Sequence, residues 1–88
     1  MMNTFDFWIV RAVSSRKASM VAAGVEKGQI EKRRIGWANY GSKRYPRYRY
    51  EAAVAYVDAP MGREALNAAV AQWEGKGVEL LVNYHCSD

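Results

Sequence analysis

With 88 residues, half of them apolar and a quarter charged, the chain has the makeup of a single packed domain, residues 1–88, and is too apolar for wholesale disorder. Its net charge of +4 hides an asymmetry: eleven of the 13 Lys and Arg residues lie between Arg11 and Arg49 against only Glu26 and Glu31, so residues 11–50 carry +9 and the remainder −5. The lone Cys86 excludes an internal disulfide and a cysteine-rich zinc site and points to a reducing, cytoplasmic setting, and the apolar run Phe7 to Val10 is too short for a membrane span or signal core.

Thr4 to Val13 reads as a strand with apolar residues on both faces, Phe5, Phe7, Ile9 and Val13 on one parity and Trp8, Val10 and Ala12 on the other. Ser14 and Ser15 are suited to cap a helix, and Ala18, Val21, Ala22 and Val25 recur at helical spacing, which predicts a helix from about Arg16 to Lys27 stopped by Gly28. A hairpin turning at Lys27-Gly28 competes with it, because Val21 to Val25 also suits a strand and Gly24 weakens a helix. Ile30 to Tyr40 is the next strand, with Ile35 and Trp37 on one face, and Gly41-Ser42-Lys43 is a turn.

Pro46 belongs at an edge or outside the ladder. From Arg47 to Val57 the alternation is clean, with Tyr48, Tyr50, Ala52, Val54 and Tyr56 on one parity and Arg47, Arg49 and Glu51 on the other. Asp58-Ala59-Pro60 leads into a helix with the stripe Leu66, Ala69, Val70 and Trp73, closed by Gly75-Lys76-Gly77. Val78 to Cys86 is the last strand, with Val78, Leu80, Val82 and Tyr84 on one face. The order β-α-β-β-α-β at this length predicts an α+β, ferredoxin-like fold: a four-stranded antiparallel sheet, order 4-1-3-2, with two helices on one face.

The segment Lys43-Arg44-Tyr45-Pro46-Arg47-Tyr48-Arg49-Tyr50 interleaves cations with aromatics, and Lys32-Arg33-Arg34 sits on the strand expected to pair with it. Arg and Lys neutralise phosphates, Arg in bidentate fashion, and tyrosine rings stack on unpaired bases. This set predicts a binding protein for single-stranded or structured RNA or DNA, in which Arg33, Arg34, Lys43, Arg44, Arg47 and Arg49 meet phosphates and Tyr45 with Tyr48 or Tyr50 stacks. Strand alternation sets Tyr48 and Tyr50 opposite Arg47 and Arg49, so an equally simple pattern makes the tyrosines core and the arginines a solvated face. A field of this sign also fits an acidic protein partner, as for an inhibitor or assembly subunit of phage or mobile-element origin.

In ferredoxin-like RNA-recognition domains the two central strands carry stacking aromatics on their open face, where Trp8 or Phe7 and Tyr48 or Tyr50 would stand. Arg44-Tyr45-Pro46-Arg47-Tyr48 lacks the glycines of that family's run, so the architecture alone is shared. The stretch from Tyr48 to Trp73 resembles phage tail completion proteins over less than a third of the chain, without a motif that assigns the family.

No catalytic or cofactor motif is evident, and an enzyme is not expected. His85 and Cys86, adjacent on a strand, point to opposite faces, and zinc needs three or four ligands. His85 has the chemistry to tune binding between about pH 6 and 7. A metal-dependent nuclease would need Asp6, Glu51 and Asp58 together, but Asp6 and Asp58 are expected at opposite ends of their strands, and Glu51 has Arg49 or Arg33 to pair with. An open sheet face carrying Trp8, Val10, Val54 and Tyr56 would need a cover, and a homodimer pairing two such faces supplies one.

Overall fold

A computed structural model describes residues 6–86. The expected start of the first strand at Thr4 and Phe5 lies outside the described residues. The elements run β1 (Phe7–Ser14), α1 (Lys17–Ala22), a 3-10 turn at Lys27–Gln29, β2 (Glu31–Tyr40), β3 (Lys43–Asp58), a 3-10 turn at Ala59–Met61, α2 (Gly62–Ala71) and β4 (Glu79–His85). The strands form one antiparallel sheet in the order β2-β3-β1-β4.

The sheet has the expected strand order, but the ferredoxin-like expectation fails at its helical layer. Among the described residues one helix of consequence is present, the 3-10 turn and α2 together. The helix expected over 16–27 shrinks to the six residues of α1, less than two turns. Its start is weak: Ser14 Oγ accepts from the Arg16 amide at 3.2 Å in a local turn, and no side chain caps the first turn.

Its end is firm and comes early. Gly24 adopts φ +97°, the Gly24 amide bonds to the Val21 carbonyl and the Val25 amide reaches back to the Met20 carbonyl at 3.1 Å. This is a Schellman termination, and Val25 joins Met20 in the core as such a motif favours. Gly24, not Gly28, is therefore the stop.

Two bulges govern which side chains face the helices. Val10 pairs with Ala55 but Arg11 pairs with Ala53, so Val54 is an extra residue in β3 and parity reverses there. Before the bulge Tyr48, Tyr50 and Ala52 face the helical side; after it Ala55 and Val57 do, and Tyr56 turns outward, 67% exposed. Trp8, Val10 and Val54, expected on an open apolar face, are packed instead with Val57, Ala59 and Leu66 of the helical side. The face without helices carries Phe7, Ile9, Arg11 and Val13 of β1, with Ile9 and Val13 buried, and of the apolar set expected there only Tyr56 stands on it. A second bulge falls on β2, where Arg34 pairs with Tyr48 but Gly36 with Arg47, leaving Ile35 as the extra residue, half exposed and out of phase with Trp37.

The core lies under α2 and α1. One cluster joins Trp8, Val10, Val57, Ala59 and Leu66; the second joins Ala12, Met20, Val25 and Ala52, with Tyr50 and Trp73 packed against it. Each large apolar side chain so buried stabilises by roughly 1.5–3 kcal/mol. At the far end Asp6 fastens three strands: its backbone carbonyl accepts from the Ala59 amide at 2.8 Å and its carboxylate accepts from the Tyr84 hydroxyl at 2.6 Å. That hydrogen bond pushes the Tyr84 pKa up from 10.0 to about 12.

β1 stops pairing with β3 at Tyr50, so residues 43–49 are held by β2 alone. The β2–β3 hairpin thus projects from the body as a two-stranded arm. The molecule measures 52 × 30 × 21 Å with a radius of gyration of 15.8 Å, where a compact domain of this length has about 12 Å. Pro46 is tolerated inside the long β3 because its second edge is open there.

Candidate nucleic-acid interface

The arm is built around a two-residue loop. Tyr40 pairs with Lys43, Gly41 has φ +63° and Ser42 does not, the pattern of a type II′ turn, whose twist matches that of paired strands. From Lys32 to Tyr50 the arm holds seven Lys and Arg residues and no acid; the rest of the chain has six against nine.

Register divides these groups between two faces. On the face continuous with the helical side lie Lys32, Arg34, Trp37, Arg44, Tyr48 and Tyr50, and on the other Arg33, Tyr40, Lys43, Tyr45, Arg47 and Arg49. Nine of the ten residues singled out from sequence lie on the arm and the tenth, Tyr50, at its root, and they do not form one surface.

On the first face cations and rings alternate. The Lys32 ammonium sits 4.1 Å from the Tyr48 ring centre, and the Arg34 and Arg44 guanidinium carbons sit 4.9 and 4.4 Å from that of Trp37. Register puts Arg34 on the root side of Trp37 and Arg44 on the tip side. Trp37 is 44% and Tyr48 40% exposed, so this ladder is wet. Tyr50 is packed into the second core cluster and belongs to the body. Tyr48 shares its parity but lies farther out, which divides the two tyrosines between the sequence alternatives of core and surface.

On the second face Tyr40 and Tyr45 meet edge to face near the tip, ring centres 5.7 Å apart. At the root Arg33 and Arg49 stand directly opposite each other, an arrangement that repels. Glu51 resolves it: only 5% exposed, its carboxylate accepts from Arg49 Nε at 2.5 Å and lies 3.5 Å from Arg33 Nε. Arg11, Gln29, Glu31, Arg33 and Glu51 line a cavity of about 210 Å³ at this root. Glu51 therefore neutralises Arg33 and Arg49 at the root, and the cations free of that pairing are those nearer the tip.

Trp37 and Tyr40 were not among the site residues singled out from sequence, where they stood only as members of the strand from Ile30 to Tyr40. The missed signal was local: Trp37 lies three residues after Lys32-Arg33-Arg34 on a strand with too few apolar neighbours to be covered.

The other chemical candidates are dispersed. Antiparallel pairing brings the start of β1 to the end of β3, so Asp6 and Asp58 are neighbours and not separated as expected; Glu51 sits seven residues away along β3. Among the described residues no group of three or more His, Cys, Asp or Glu is placed to hold a metal ion. His85 stacks on Phe7 with ring centres 5.2 Å apart, on the sheet edge opposite the arm, so it cannot tune the arm by direct contact. Among the described residues no helix is long and apolar enough to cross a membrane. No known protein family, curated protein or solved structure matches this chain.

Proposed function

We propose that this is a non-enzymatic nucleic-acid-binding protein that grips its ligand with the β2–β3 arm. The observation that carries the reading is the run of seven cations without an acid on a two-stranded projection that the helices leave bare. Such a projection concentrates positive potential away from the acids of the body and reaches phosphates without moving the core. Lys43, Arg44 and Arg47 are the principal phosphate contacts, Lys32 and Arg34 extend them along one face, and Trp37, Tyr40 and Tyr45 add polar and ring contacts near the tip. A cytoplasmic location belongs to the same proposal and rests on the single, exposed Cys86.

The test is fluorescence anisotropy of labelled DNA and RNA against the wild type and the triple variant K43A/R44A/R47A, from about 50 to 200 mM salt. Arg49 is left in place because it pairs with Glu51. The variant is expected to keep its thermal midpoint, lose about tenfold or more in affinity, and flatten the slope of log affinity against log salt by about 3. Equal affinity in a folded triple variant would overturn the assignment. Binding by the wild type that vanishes at physiological salt for every nucleic acid would overturn it too, and would turn attention to an acidic protein.

A further inference from the structure

Resting on that reading, the geometry points to a narrower ligand: we infer that the arm enters the major groove of B-form duplex DNA and does not serve as a stacking platform for single strands. The first ground is the state of the rings. Single-strand platforms offer bare ring faces to successive bases. On the face of Trp37 and Tyr48, Arg34 and Arg44 sit by the first ring and Lys32 by the second, so a base stacks there only by displacing a cation. On the other face the exposed Tyr40 and Tyr45 are set edge to face against each other instead of offering parallel faces to successive bases.

The second ground is the two-sided charge. A single strand lies along one face of a sheet, and cations on the opposite face gain nothing from it. Setting aside Arg33 and Arg49, which Glu51 engages, this arm carries Lys32, Arg34 and Arg44 on one face and Lys43 and Arg47 on the other. A groove has phosphates on both walls, and only a ligand that surrounds the arm uses both sets.

The third ground is size. Strands about 4.8 Å apart with side chains on both faces make a ribbon roughly 10 Å thick, and the B-form major groove is about 12 Å wide and 8.5 Å deep. The seven residues Lys43 to Arg49 held by β2 alone extend about 23 Å at 3.3 Å per residue, the axial length of about seven base pairs. The major groove of A-form RNA is too narrow to admit such a ribbon.

The experiment compares a labelled DNA duplex of about 20 base pairs, the RNA duplex of the same sequence and the DNA single strand at physiological salt. Methyl green competes as a major-groove ligand and netropsin as a minor-groove ligand. The DNA duplex is expected to bind at least about tenfold tighter than either other ligand, to be displaced by methyl green and not by netropsin, and to lose its advantage in K43A/R44A/R47A. A single strand or RNA duplex bound as tightly, or displacement by netropsin alone, overturns the groove assignment and leaves the nucleic-acid reading standing. No binding of any of the three at physiological salt overturns both.

Discussion

Body and arm are cut from one sheet and part at the rung where Lys32 faces Tyr50. On the body side β1 is paired on both edges, the helices cover one face of the sheet, and Val10, Ala12 and Met20 are wholly removed from water. On the arm side two strands have only each other, and what holds the ribbon is backbone pairing, a II′ turn and a file of cation–ring contacts worth about 0.5–1 kcal/mol apiece at exposed positions. Stability is thus concentrated away from the densest run of cations. The difference separates two roles by position: substitutions in the body should change how much protein is folded, and substitutions in the arm should change what the folded protein holds.

The hardest test of that separation is Met20→Ala, which empties the site where α1 docks on β1 and should cost about 2–5 kcal/mol by urea denaturation. Its folded fraction should hold the proposed ligand with the affinity the wild type shows; a loss below about 1 kcal/mol would mean that α1 is not anchored. Glu51→Gln probes the border. It removes the one charge that reconciles Arg33 with Arg49 and should lower stability by about 1–3 kcal/mol, less than a fully buried pair would because Arg33 is largely exposed. An unchanged denaturation midpoint would break the account of the root.

Trp37→Ala belongs to the arm: denaturation should shift by no more than about 1 kcal/mol while affinity for the ligand falls several-fold, and the reverse pattern would put Trp37 in the core. The smallest effect is a titration. Tyr84 is raised to about 12 by its hydrogen bond to Asp6. The folded state therefore keeps a proton that the unfolded state releases near pH 10, so this contribution is complete below pH 10 and is lost as pH rises toward 12. Absorbance at the tyrosinate band should show one tyrosine titrating late, and Tyr84→Phe should remove that late step.

The strand order and the gathering of cations on one hairpin were legible in the sequence, because alternation in β1 and β4 survives intact and because Lys32 to Arg34 and Lys43 to Arg49 flank a turn whose Gly41 is readable. The helical layer was not. Ala18, Val21, Ala22 and Val25 keep helical spacing, but Val25 follows a left-handed glycine and enters the core as a cap contact, so one periodic pattern spans two conformations. Face assignment in β3 failed for a related reason. A bulge at Val54 needs no special residue, and a single inserted position sends Tyr56 outward while Ala55 and Val57 turn in. The division of the cations between two faces was legible only in part, because Ile35 inserts the same kind of step in β2.

The arm leaves two rows of backbone amides and carbonyls without a neighbour, the outer side of β2 and the side of β3 before Tyr50. Open rows of this kind invite a second chain to continue the sheet, and proteins discourage it with charge. Seven cations within 19 residues make any two arms repel along their whole length. The array proposed to seize a polyanion thus doubles as a guard against self-association, and an arm stripped of its lysines and arginines would be left as a template for fibrils.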